Sequence, residues 1–213
     1  MPPPGVPHHH RPRTPAPGPP EGRTAPWRSL PRTTAPPPVP HRPARPSPPG
    51  PVRTHTWEPP KGYAAAGART GLQLARTSLD GSLPEAPICG TLGFRLTATE
   101  EGLAVFEGEP GEHLFNPMGT VHGGYMAALL DSALGTAVLT ALPAGRAYTT
   151  VQLGVHLVRP VLADTPTLRC EGRAVHVGRT TATAQARIVG ATDGRLYAHG
   201  TATCAVFALP GAA

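Results

Sequence analysis

The chain is poor in the residues on which secreted and membrane proteins depend. Its three cysteines, Cys89, Cys170 and Cys204, are odd in number, far apart and never in CxxC spacing. That pattern argues against a disulfide framework and against zinc, and for small core thiols in a reducing compartment. No apolar run flanked by a basic start and a small-residue cleavage site opens the sequence, so no secretory signal is expected. The longest apolar stretch, Met126 to Leu142, is broken by Asp131 and is short for a membrane span. His8-His9-His10 has no second cluster to complete a metal site, and His176 and His199 lack ligand spacing. Together these absences predict a cytoplasmic protein with no metal, no cofactor and no membrane partner.

Acidic residues are scarce in one place only. Residues 1–60 contain Glu21 and Glu58 against eight arginines, together with 22 of the 30 prolines. Residues 61–213 carry 11 basic and 11 acidic side chains, so the net charge of +6 belongs to the first segment. A basic pI that arises in this way gives no support to nucleic-acid binding by the rest of the chain. The large apolar residues of the first segment, Trp27, Leu30 and Trp57, are isolated. Such a sequence buries too little surface to offset chain entropy, and it reads as a disordered extension of polyproline character over 1–60. It is a ligand for proline-recognising modules, an anion binder, a passive extension or the product of a start placed too far upstream. Residues 61–213 are long enough for one domain with a sizeable core.

Within that domain the pattern predicts a short helix over Thr70–Ser78, ended by Asp80-Gly81 and Pro84. Alternation over Thr91–Thr99 and Leu103–Glu107 around Glu100-Glu101-Gly102 predicts a hairpin. A helix follows from about Val121 to Leu142. Four strands come after it, at Tyr148–Val158, Thr167–Val177, Arg179–Val189 and Arg195–Phe207. A helix apolar on every side must be wrapped rather than laid on a surface. The fold class is therefore α+β, an antiparallel sheet curled around one long helix. The far face of such a sheet is expected to need a cover, which predicts oligomerisation.

Chemistry is concentrated in Asn116-Pro117-Met118-Gly119-Thr120-Val121-His122-Gly123-Gly124 and the helix after it. Asp131 is the only formal charge between Gly123 and Leu142. A carboxylate there carries a desolvation cost unless something pairs with it or uses it. The paired glycines open a helix, where free N–H groups point outward. A backbone donor and a buried carboxylate are the tools for hydrolysing an activated acyl group.

These residues, in this order, resemble the hotdog-fold acyl-CoA thioesterases of the phenylacetate-pathway (PaaI-type) group. Leu79-Asp80-Gly81, Tyr148-Thr149-Thr150, Val158-Arg159-Pro160, Val175-His176-Val177-Gly178-Arg179 and Asp193-Gly194-Arg195-Leu196 extend the likeness over roughly 70–207. The resemblance implies that Asp131 acts as general base or nucleophile and that Gly123 N–H polarises the thioester carbonyl. It implies that Asn116 places the carbonyl or the water, that Thr150 assists the water, and that His122 supports the loop or the sulfur side. It places Gly123 and Asp131 on opposite subunits of a homodimer or homotetramer. Coenzyme A, as part of the substrate, falls near Gly124, Arg159 and the Val177-Gly178-Arg179 turn, arginine being suited to phosphate. His156 and Gln152 stand where relatives commonly have asparagine and glutamate, which bears on specificity.

Plainer readings stand beside these. Asp131 is otherwise a structural carboxylate that caps a loop or pairs with Arg159, Thr150 an ordinary strand threonine, and Arg179 a solvated turn residue. The competing functions are a hotdog-fold hydroxyacyl dehydratase, a non-catalytic acyl-CoA sensor and a scaffold driven by the extension.

Overall fold

The computed structural model describes residues 50–60 and 68–209. Expectations for residues 1–49, the histidine triplet included, lie outside the described residues. One compact unit runs from Val52 to Ala213, so residues 52–60, expected in the extension, belong to the same unit as the domain.

The first helix, α1 (Gly71–Leu79), starts at a capping box. Thr70 Oγ1 accepts from Gln73 N–H at 3.3 Å, and Gln73 Oε1 accepts from Thr70 N–H at 2.8 Å. Two orphan donors are thereby satisfied reciprocally. The next element differs from expectation. Residues 91–93 were predicted to open a strand; instead Pro87–Leu92 forms a helix, α2, and the strand β1 begins only at Phe94 (Phe94–Glu100). Pro87 sits in the first helical turn, where its missing N–H costs nothing, and Gly93 ends the helix at φ 75°. The alternation from Leu92 onward masked this single turn and a half of helix.

Strand β2 (Leu103–Gly108) pairs with β1, and a turn-rich loop leads to the long helix α3 (Gly123–Thr140). Then come β3 (Arg146–Leu157), β4 (Leu168–Val177), β5 (Thr181–Gly190) and β6 (Leu196–Ala208). All six strands form one antiparallel sheet in the order β1-β2-β4-β5-β6-β3. The sheet wraps α3, whose Leu129, Leu130, Ala133, Leu134, Ala137 and Val138 are completely buried. Close approach is secured by Gly172 of β4, where a Cβ would collide with the Ala133 carbonyl group. The far end of α3 is tied to the first hairpin: Thr140 Oγ1 donates to Ala137 O and accepts from Gly102 N–H at 2.9 Å.

The outer face of the sheet is largely polar. It presents Thr149, Gln152 and His156 of β3, Thr201 and His199 of β6, Gln185 and Arg187 of β5, and Glu171 and Arg173 of β4. Glu171 pairs with Arg173 at 2.7 Å and Arg187 at 4.0 Å. A face of this composition is solvated as readily as it is covered. Four exposed apolar side chains, Val151, Leu153, Leu157 and Val158, lie on and just beyond the edge strand β3, and Val175 of β4 and Phe207 of β6 are exposed as well. Among the described residues, no helix is long and apolar enough to cross a membrane.

Candidate active site

The start of α3 is built by two nested turns. Asn116 Oδ1 accepts from Met118 N–H at 2.8 Å and Thr120 N–H at 3.3 Å, while Nδ2 donates to Thr120 Oγ1 at 2.9 Å. Asparagine suits this role because its short amide mimics a turn of backbone. Its carboxamide is thus engaged by its own loop, and Gly119 completes the reversal at φ 77°. His122 N–H then donates to Leu114 O, and Val121 N–H to Val161 O, which fixes the entry to the helix.

His122 is the N-cap. Its Nδ1 accepts from Gly124 N–H at 2.9 Å, so that ring nitrogen is the unprotonated one. The three residues of the His-Gly-Gly motif divide their work. Gly124 N–H is taken by the cap, while Gly123 N–H meets no acceptor among the described residues. Any side chain at Gly123 would press on β3, because a Cβ there lies 2.7 Å from Leu157 Cδ1. The result is an open backbone donor at the positive end of an 18-residue helix.

Asp131 lies two turns further along. It is half-buried, and its Oδ1 is shielded from solvent without a hydrogen-bond partner. A buried acceptor left unmatched is uncommon and marks a place where a donor is missing. The structural alternative for this residue, a pairing with Arg159, does not form. The Arg159 guanidinium donates to Leu196 O at 2.5 Å and lies 5.8 Å over the Tyr197 ring. Asp131 faces a half-open cavity of about 480 Å³ bordered by α1, α2, β1, β2 and the middle of α3. Thr150 approaches from β3, next to a register shift, and its hydroxyl hydrogen-bonds the buried thiol of Cys204 on β6. Burial pushes that thiol's pKa up, the Thr150 bond opposes the shift, and the nearby Asp131 charge adds to it. Asp131, Thr150 and Cys204 are therefore neighbours within one chain.

Gly123 and Asp131 are not. Eight residues of α-helix separate them by about 12 Å along the axis.

The remaining sequence candidates fall elsewhere. Val177 is the last residue of β4, and Gly178 N–H closes the following turn onto Thr181 O at 2.9 Å. The exposed Arg179 receives a hydrogen bond at its carbonyl from the Arg146 guanidinium. Gln152 and His156 lie on the outer sheet face, away from the cavity, with the His156 ring stacked on His199 at 4.8 Å. Sequence reasoning missed Ser132, Thr136 and Tyr148, which share the cavity wall with Asp131. A signal for two of them was available: Ser132 and Thr136 stand one helical turn apart beside Asp131, a small polar stripe in an apolar helix. Tyr148 reaches α3 because Gly135 leaves room for its hydroxyl, a pairing that no local pattern encodes. Among the described residues no cluster of three metal-ligating side chains exists.

Comparison with known proteins bears on the fold and the family. The model of the thioesterase superfamily matches residues 118–197, from the turn before α3 to the start of β6. A curated protein of Halobacterium salinarum, provisionally named an esterase, is 39% identical over 77 residues; the match spans 35% of this chain and 49%, about half, of that relative. A thioesterase family protein from Silicibacter pomeroyi superposes with TM-score 0.57 at 27% identity, covering 65% of this chain and 98% of its own. A phenylacetic acid degradation-related protein and candidate thioesterase from Ralstonia eutropha gives 0.56 at 29% identity, with coverage of 62% and 98%. With its six-stranded antiparallel sheet wrapped on one central helix, the chain has the hotdog fold, and its residues 118–197 match the thioesterase superfamily.

Proposed function

We propose that the protein hydrolyses acyl-CoA thioesters to free acid and coenzyme A, at a site completed by a second copy of the chain. The observation that carries this reading is the shielded, partnerless Oδ1 of Asp131 facing a cavity. Water is the donor it lacks. Asp131 takes a proton from that water, whose oxygen bonds to the thioester carbon, or it attacks the carbon itself and forms an anhydride that water then hydrolyses to the free acid and the carboxylate. In either case the C–S bond breaks and the thiolate leaves as coenzyme A once protonated. The developing oxyanion is held by a Gly123 N–H, where the helix terminus favours negative charge.

The axial separation of about 12 Å between those two groups supports a site to which two chains contribute. The edge strand β3 supports the assembly. It is twelve residues long and unpaired on its outer side, and it carries the exposed Val151, Leu153 and Leu157. Edges of this kind invite pairing with another strand. A homodimer joined through β3 satisfies it, and the polar outer face places no comparable demand for a tetramer. His122 and Asn116 keep the donor loop in shape, and Thr150 orients the water beside Asp131. Arg159 and the Val177-Gly178-Arg179 turn receive the coenzyme phosphates, with Gly124 allowing close approach at the helix start.

The test is Asp131→Asn, assayed by free-thiol release across aryl- and fatty-acyl-CoA esters. The change is nearly isosteric, so the helix should still pack. Turnover should fall by ~10²–10⁴-fold, the usual worth of a positioned acid–base group, while coenzyme A binding changes little. Hydrolysis at the parent rate by the Asn protein would end this mechanism.

A further inference from the structure

The cavity beside Asp131 has one wall that does not come from the hotdog elements. Pro60 borders it, together with Leu74 and Ala75 of α1, Cys89 of α2 and Phe106 of β2. The stretch leading to Pro60 is fastened to α2. The Arg53 guanidinium donates to the carbonyls of Thr91 at 2.5 Å and Gly90 at 3.3 Å. These are among the last carbonyls of that helix, which have no intrahelical partner and favour a cation. Gly93 makes the seat. A Cβ on Gly93 would lie 2.8 Å from Arg53 Nη2, and one on Gly90 would lie 3.7 Å from Thr56 O. His55 Nε2 adds a contact at 3.4 Å to Thr91 Oγ1, whose hydroxyl also bonds Pro87 O. Residues 53–56 therefore lie along α2 with specific polar contacts, although all of 50–60 is solvent-exposed.

We propose that residues 52–60 form a strap that sets which acyl groups the cavity admits, with Arg53 as the positioning residue that holds it. This rests on the reading of the cavity as the acyl chamber. α1, α2 and α3 fix the other walls through packed core residues such as Ala75, Cys89 and Leu130. The wall at Pro60 is held by the hydrogen bonds of Arg53 and is the one that yields without cost to the core. With the strap in place, the chamber closes beyond a certain acyl length. With it released, the chamber opens to solvent on that side and longer chains pass through.

The experiment uses the full chain with Arg53→Ala, Pro60→Gly and the double substitution. Thioester turnover is measured over straight-chain acyl-CoA of about 4 to 16 carbons, and calorimetry measures binding of the corresponding free fatty acids, since one methylene at a confining wall is worth about 10-fold or more. The parent should show a sharp break in both series. The variants should move that break to longer chains, with a gain of about 10-fold or more at the first length the parent rejects. Arg53→Ala should leave the kcat for the shortest ester unchanged, and Arg53→Lys should restore part of the parental break. If Arg53→Ala does not fold, Pro60→Gly carries the test alone with the anchor intact. The same break in parent and variants, no break in the parent, or an equal loss at every length overturns the strap. Absence of turnover in all proteins refutes thioester hydrolysis alone, because the fatty-acid series still reports the chamber length.

Discussion

Gly123→Pro removes one atom of chemistry and leaves the helix in place. Gly123 is the first helical residue of α3, preceded by His122 at φ −62°, ψ 137°. Proline is favoured at the first helical position, because its fixed φ suits the helix and its missing N–H has no intrahelical partner there. The extended backbone of His122 is also the conformation that a following proline demands. The added Cβ meets Leu157 Cδ1, the far end of a side chain that is 53% exposed. The substitution should therefore change stability by no more than about 1 kcal/mol in either direction. What it deletes is the open backbone donor. Loss of one oxyanion donor typically costs ~10²–10³-fold in kcat, so thiol release should fall by that factor while substrate affinity holds. A mixing experiment then locates the donor. When Gly123→Pro and Asp131→Asn chains are combined in equal amounts and allowed to reassort, about half of the dimers are mixed, and each holds one intact site if sites are shared between two-fold-related chains. About a quarter of parental activity should return from two nearly inactive proteins. A folded, dimeric Gly123→Pro protein with parental kcat, or mixtures that recover nothing, would refute the shared oxyanion site.

Two further tests address what holds the fold together. Gly172→Ala introduces a methyl group against the Ala133 carbonyl of α3, backbone against backbone, where no side chain can yield. It should destabilise the domain by about 1–3 kcal/mol or more, read as a lowered urea midpoint, whereas Gly81→Ala, with open space around it, is limited to the cost of its positive φ. The cysteines provide a pH test. Burial, reinforced by Glu85, pushes the Cys89 thiol up to about 12, and burial raises Cys170 and Cys204 as well. Above about 8.5 the unfolded chain gives up thiol protons that the folded chain retains, so this contribution to stability is complete below that pH and declines toward pH 12. Aromatic-disulfide reagents at pH 8 should leave all three thiols unmodified until denaturant is added; rapid labelling of the native protein would contradict their burial.

The elements that the sequence determined alone are those with a strong local period or an obligatory local cap. α3 is legible because its side chains are apolar on all sides and one motif, His122-Gly123-Gly124, both opens and caps it. The four strands after it alternate, and each is bounded by glycine or proline. The position of Asp131 as the single charge of that helix marked the candidate reactive centre for the same reason, since an apolar helix tolerates a carboxylate only for cause. Tertiary structure decided what depends on partners distant in the chain. Whether residues 87–92 turn as a helix was set by Pro87 and by the room at Gly93 for Arg53, which no periodicity shows. The placing of Ser132, Thr136 and Tyr148 around one cavity depends on how the sheet curls over the helix. That Gly123 N–H stays open while Gly124 N–H is occupied depends on the turn taken by a single imidazole. The polarity of the outer sheet face emerged only once the register was known, because a shift of one residue exchanges the two faces. Local pattern selects elements through short-range sterics and the burial of apolar faces, whereas a site is made by the packing of those elements against one another.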